Sequence, residues 1–342
     1  MWAICLGLWG QTLNLPNLEK ELAAIGHIIL YHQDTQLKDS LNRIFLQKWK
    51  DIFSYPEHFS YPFDSVVTVS DLCPPDSAFR ILTWQIIDFS KEEHSYYGIL
   101  VRRWRISEKS PWQVKVYELK AIPEPLEEED IERRTLSPEE WVSALYYHPR
   151  HLSHGVLRYE ATARIPRGSK IRKEKMHYYV LLGWNGYNRR RNYKVVETIF
   201  IDSRQPEKVF FGAPVLYVGV VPKMRILLPY PETTPLTLNY GWYVKKPGSR
   251  KHYPAIIVDH LSRSIRKSRM SEDPRPFYGA DGSYDAIEYW KGKSIEGRKG
   301  ILVYRRGVTP YDPEMERYTP SALRKPNRQS APKETSHGKA QR

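Results

Sequence analysis

Two groups of residues in this chain have types and spacing that could do chemistry. The first is Asp259-His260 taken with Asp281, Ser283 and Asp285. Asp, Ser and Asp at i, i+2 and i+4 can aim oxygen ligands at a hard cation such as calcium, and a histidine near a carboxylate can serve as a general base. The later bidentate glutamate and the mid-loop glycine of a full calcium loop are missing, so no metal centre is expected. Ala280-Asp281-Gly282-Ser283 also has the composition of a tight turn, in which the aspartate bonds its own backbone and the glycine takes a positive φ. That structural role is the expectation, with Asp259, His260, Asp281 and Asp285 held as catalytic candidates. The second group is Trp184 with Tyr187, Arg189, Arg190 and Arg191. Three guanidinium groups beside two aromatic rings could hold a phosphate or a sugar acid by paired hydrogen bonds and stacking. A solvated hairpin tip explains the same residues. Lys170, Arg172, Lys173, Arg263, Arg266 and Lys267 could extend it into one basic face.

Other chemistry is poorly supported. The chain has no H-E-x-x-H, no G-x-S-x-G, no phosphate loop and no dinucleotide turn. Its two cysteines, Cys5 and Cys73, form no C-x-x-C and no cluster with histidine. No cofactor is expected, and a non-catalytic role is favoured over an enzyme.

The 342 residues are 41% hydrophobic and 13% aromatic, with 24 tyrosines, which excludes a disordered chain. Tyrosine at this level suits β-sheets and also platforms that stack on sugars or bases. The net charge of +14 makes a polyanion a fair partner. A nucleic acid is not the expected one, because no nucleic-acid module is recognisable. Residues 319–342 concentrate part of the charge in a basic tail.

The elements that would position these residues are organised around 177–218. His177 to Asp202 reads as two apolar, aromatic strands joined by a polar hairpin loop, and Val209 to Val218 as a third strand. Ahead of them, Leu18, Leu22, Ile25 and Ile29 share a helix face, with Asn17 as its N-cap. Leu37, Leu41, Ile44, Phe45, Lys48 and Ile52 share another after Asp34 or Thr35. Strands are expected at Val66–Ser70, Phe79–Phe89, Tyr96–Ile106 and Gln113–Ile122. An acidic loop follows over 123–132. A short helix is expected over Leu136–Tyr147, where Ser137 and Glu140 form a capping box and Pro138 sits in the first turn. Residues 148–176 read as a basic exposed loop. Later strands are expected at Met224–Leu228, Leu236–Val244, Tyr253–His260, Tyr284–Trp290 and Gly300–Tyr304.

The fold class is therefore mainly β, with antiparallel sheets arranged as a propeller-like assembly or a large sandwich, an N-terminal helical hairpin and one short internal helix. The strands fall into three groups, at 66–122, 177–230 and 236–304. Residues 1–11 read as the apolar end of a signal peptide, 12–58 as the hairpin, 59–304 as the β domain and 305–342 as a disordered tail.

Several stretches resemble an uncharacterised family of exported proteins from Bacteroidetes bacteria. They are Phe63-Asp64-Ser65, Pro75 to Trp84, Ala144 to Tyr147, Tyr178 to Asn188, Phe211 to Val215, Val258 to Leu261 and Tyr278 to Asp285, in order over 60–290. The resemblance implies export to the periplasm or cell envelope and no established activity. The expectation is a non-catalytic binding or structural protein of the envelope, without a membrane span, whose partner is an anionic envelope polymer or another envelope protein. A hydrolase acting on an envelope polymer and a basic nucleic-acid-binding protein are the alternatives.

Overall fold

The computed structural model describes residues 13–123, 128–167, 170–188, 191–231, 235–245, 249, 251–263, 278–291 and 299–311. The protein is mainly β and antiparallel, and its elements stack as four layers: a helical hairpin and three sheets. No described helix is long and apolar enough to cross a membrane.

The hairpin comprises α1 (Leu15–Tyr31) and α2 (Thr35–Phe53). Asp34 caps α2 by accepting from the N–H groups of Gln36 and Leu37. The cap of α1 is Asn14 rather than Asn17, because Pro16 fits the first helical turn and starts the helix earlier. The face that α2 buries also differs from the expected one. Phe45 and Ile52 are buried as expected, but Leu37 and Ile44 are exposed, and Asn42, Trp49 and Phe53 are buried instead. Asn42 is held there because its Oδ1 accepts from Trp84 Nε1 at 2.7 Å.

The first sheet contains β1 (Ser70–Leu72), β2 (Phe79–Asp88), β3 (Glu93–Trp104) and β4 (Gln113–Leu119) in sequential order. Alternation divides its side chains. Leu82, Trp84, Ile86, Ile99 and Val101 meet the helices, whereas Phe79, Ile81, Tyr96 and Leu100 meet the second sheet. The expected Val66–Ser70 strand is mostly turn, with pairing limited to residues 70–72.

The second sheet is central. It is built on β6 (Val156–Arg167), β7 (Lys170–Asn188) and β8 (Arg191–Ile201), with β5 (Leu145–Tyr146), β9 (Val209–Phe211) and β12 (Ile226–Tyr230) at its margins. Tyr179 and Leu181 face the first sheet, and Tyr178, Val180 and Leu182 face the third. Burial on both sides explains the unbroken apolar run that marks this strand.

The third sheet contains β10 (Leu216–Val218), β11 (Val221–Lys223), β13 (Leu238–Val244), β14 (His252–Arg263), β15 (Tyr278–Trp290) and β16 (Ile301–Tyr311). Because β16 pairs with β15 along its length and with β13 at its end, these strands close a ring. Ala255 and Ala286, beside Tyr243, face the small interior of that ring. Leu238, Ile256, Val258, Ile287 and Leu302 face the second sheet.

Four expectations are corrected. Leu136–Tyr147 is not a helix: Pro138–Glu140 makes one 3-10 turn, and the chain then runs extended into β5. Trp141, Val142, Ser143 and Ala144 are all buried, and a helix with a single apolar face cannot bury four consecutive residues. The short internal helix is instead α3 (Glu128–Ile131), within the expected acidic loop. Residues 148–176 are not a loop, since the 156–167 ladder pairs with 170–181 throughout. Val209–Val218 is not one strand: Gly212, at φ +90°, turns the chain so that β9 joins the second sheet and β10 the third. Finally, β16 carries ordered strand through residues 305–311, where a tail was expected. The signal-like segment and residues 312–342 lie outside the described residues.

The second sheet is tied to the α3 segment by an ion pair with both side chains fully buried. Arg225 Nε donates to Glu197 Oε2 at 2.8 Å, and its Nη1 donates to the carbonyls of Ile131 and Arg134. Beside it, Glu132 accepts from Leu227 N at 2.9 Å and pairs with Lys223. Arg225→Met is expected to lower stability by about 3–5 kcal/mol, because it strands a buried carboxylate, whereas Glu197→Leu with Arg225→Met should recover most of the loss. Urea unfolding of both variants measures this.

Candidate functional site

Register decides which side chains reach the ends of the interface between the second and third sheets. Tyr240 opposes Ile256, Ile256 opposes Ile287, and Tyr289 lies two residues beyond Ile287, so all share the face toward the second sheet. At the opposite end that face presents His260, Asp285 and Tyr304. The middle of the interface is apolar, and each end opens into a cleft.

The His260 end draws together three of the four catalytic candidates. Asp285 is almost fully buried and accepts three hydrogen bonds: from His260 Nδ1 at 2.8 Å, Tyr304 Oη at 2.7 Å and Gly307 N at 2.9 Å. With that carboxylate already accepting from two other donors, Nδ1 is the donating nitrogen. Nε2 then lies 3.9 Å from Asp281 Oδ2. Asp281 is the turn-bound aspartate the sequence suggested. It accepts from the N–H and hydroxyl of Ser283, beside Gly282 at φ +85°, and these bonds hold its carboxyl below the usual carboxylate range. Burial and the Asp285 carboxylate push the Tyr304 phenol up, so it stays a donor. Asp259 does not join them. It lies on the other face of β14, accepting from Thr237 N at 2.6 Å. The adjoining cleft, about 330 Å3, has an apolar floor from Ile226, Leu227 and Leu228, with Lys223 and Arg306 on its walls. No three described His, Cys, Asp or Glu residues are grouped to hold a metal ion.

Of the hairpin-tip candidates, the structure describes the Trp184 side chain, which turns inward. Trp184 is half-buried, its Nε1 donating to Tyr230 Oη at 2.9 Å and its ring meeting His94 edge-on. The ring lies over Gly186, where an added Cβ would fall 2.1 Å from it. Trp184 is therefore structural, held inward by a polar partner that lies 46 residues away. Arg189 and Arg190, and the side chains of Tyr187 and Arg191, lie outside the described residues. The same holds for the side chains expected to extend the basic face.

The opposite cleft is the larger, at about 540 Å3, and the sequence did not single it out. Tyr159, Tyr240, Tyr253 and Tyr289 line it with Pro254, and Arg158, Glu160, Glu288 and Lys291 supply charge. Tyr159 on β6 and Tyr289 on β15 stack across the interface at 4.4 Å between ring centres. Tyr289 Oη donates to the Glu160 carbonyl at 2.7 Å. Burial pushes the hydroxyls of Tyr159, Tyr240 and Tyr289 up, so all three remain protonated and can donate as well as accept. The only signal of this cleft in the sequence is the abundance of tyrosine, because its four tyrosines come from four separate strands.

Comparison with protein-family models, with curated proteins and with solved structures found no match for the chain.

The two aspartates separated by the geometry should also separate in stability. Asp285→Ala leaves the part-buried Tyr304 hydroxyl and the Gly307 N–H without their acceptor and should cost about 2–6 kcal/mol, at about 1–3 kcal/mol per stranded group. Asp259→Ala removes one bond at a partly exposed edge and should cost under about 1.5 kcal/mol. Thermal denaturation of the two variants makes the comparison.

Proposed function

We propose that this chain is a non-catalytic binding protein of the cell envelope and that its ligand occupies the tyrosine-lined cleft. The observation that carries the reading is the convergence of four tyrosines from four strands on one open cleft of about 540 Å3. Ligand sites are concave, mostly apolar and furnished with a few polar groups that fix orientation. Phenol rings provide flat apolar area with a hydroxyl at the rim, at little conformational cost. Export to the envelope rests on the apolar N-terminal run and on the family resemblance. Cys73 fits a passive role, since burial raises its thiol above the range of a reactive thiolate.

Sedimentation with insoluble envelope polysaccharide tests the binding reading. Wild-type protein is expected in the pellet, and Tyr159→Ala with Tyr289→Ala should weaken retention by about tenfold or more, consistent with the loss of two stacking surfaces. Equal retention of variant and wild type, or no retention of either, contradicts it.

The placement of His260 against buried Asp285 beside a second cleft favours one further reading, a hydrolase acting on an envelope polymer. In it, His260 Nε2 removes a proton from water while Asp285 orients the ring. The binding reading expects no release of soluble fragments from envelope polymer by the wild-type protein. Release that is abolished in His260→Ala would decide for hydrolysis.

A further inference from the structure

The tyrosine cleft has two properties that narrow what it can hold. The first is electrical balance. Its lining carries two cationic side chains, Arg158 and Lys291, and two carboxylates, Glu160 and Glu288. Arg158 is already engaged by Asp76 at 2.7 Å, and Glu288 by Arg305 and by Lys245 at 3.5 Å. The net +14 of the chain is thus not focused on this site. Glu160, which is half exposed, is paired with Lys175 at 3.6 Å, and Lys291 lies over the Tyr289 ring, so a phosphate or carboxylate entering the cleft meets balanced charge with the Arg158 guanidinium already engaged.

The second property is length. The aromatic surface does not stop at the cleft. Trp242, two residues from Tyr240 on the same strand face, lies 6.3 Å from its ring, and His151 lies 5.2 Å beyond Trp242. Trp242 is half-buried and His151 exposed, so rings remain accessible along this line. A single small molecule would use only the cleft, whereas a chain of ring units could use the whole track. Neutral sugars match both features: their C–H faces stack on aromatic rings, and their hydroxyls pair with a carboxylate and with phenols that both donate and accept.

We propose that the cleft and the track from Tyr159 and Tyr289 through Tyr240 to Trp242 and His151 bind a neutral glycan chain several units long. This rests on the binding reading above and names its ligand class. The stacked Tyr159–Tyr289 pair presents its accessible surface to one unit at the cleft, Tyr240 to the next, and Trp242 to a unit outside it. Nucleic-acid bases also stack on such rings, but their phosphates bring counterion release and a steep salt dependence, which a neutral glycan lacks.

Isothermal titration with neutral N-acetylhexosamine oligomers of one, three and six units, at low and high salt, tests the proposal, with single-stranded oligothymidylate as a second probe. Affinity should rise about tenfold or more from monomer to hexamer and change by less than about twofold with salt. Trp242→Ala should lower hexamer affinity about tenfold and leave the trimer little changed, with Trp242→Tyr restoring most of it and circular dichroism unaltered in both. Affinity that does not grow with length, or tight salt-sensitive binding of oligothymidylate, overturns the proposal. If no oligomer binds while Tyr159-dependent sedimentation with envelope polysaccharide persists, the glycan inference falls and the binding reading stands. Loss of both removes both.

Discussion

The second sheet is covered on both faces, and the rest of the structure depends on that burial. Tyr178, Tyr179, Val180, Leu181 and Leu182 are consecutive and nearly inaccessible, each contributing to one of two cores. Burying a side chain of this size contributes about 1.5–3 kcal/mol, so the strand organises both neighbouring layers at once. Such a strand leaves little room for polar groups, and the buried ones nearby have polar partners. Asn185 donates to the Ser143 carbonyl at 2.7 Å, and Glu197 is neutralised by Arg225. The α3 segment is drawn against the sheet because its carbonyls accept from that same arginine.

The clefts follow from how twisted sheets meet. Two facing sheets remain in contact near their centre and splay toward the corners. Side chains at strand ends then share a face with the core yet border solvent. At one corner these are tyrosines, which can leave their rings partly exposed. At the other, a histidine and a carboxylate are tied together where β15 bulges and β16 bends away to close its ring. One architecture thereby supports two sites of different character, one suited to holding a ligand and one with the elements of acid–base chemistry.

Much of this architecture was legible in the sequence wherever a single period dominated. The helical hairpin, strands β2 to β4 and the primacy of 177–202 follow from apolar spacing alone. Legibility failed where long-range pairing outweighed local preference. Ser137 and Glu140 form a sound capping-box pattern, yet the buried run from Trp141 to Ala144 is better satisfied as an extended segment between sheets. Within the basic 148–176 stretch, Leu157, Tyr159, Ala161, Ala163 and Ile165 do alternate with polar residues, but the surrounding lysines and arginines mask that period, and the ladder is set by pairing with 170–181. The His260 grouping was partly legible because Asp281 and Asp285 are neighbours in sequence and β14 pairs with β15. Asp259 was misplaced for a reason the pleat explains: adjacent residues on a strand point to opposite faces. The tyrosine cleft could not be read at all, since Tyr159 and Tyr289 meet only through the packing of two sheets.

Hydrogen exchange followed by mass spectrometry, with and without a neutral hexasaccharide, bears most directly on the claim that doubly buried β7 and β8 organise the fold and that the ligand enters at one corner of it. Amides of residues 178–182 and 195–199 should be the slowest to exchange, and the ligand should slow exchange around Tyr159, Tyr240 and Tyr289 while leaving Trp184 and His260 unchanged. Faster exchange in β7 than in β3 or β14, or ligand protection centred on Trp184 or His260, would contradict the account.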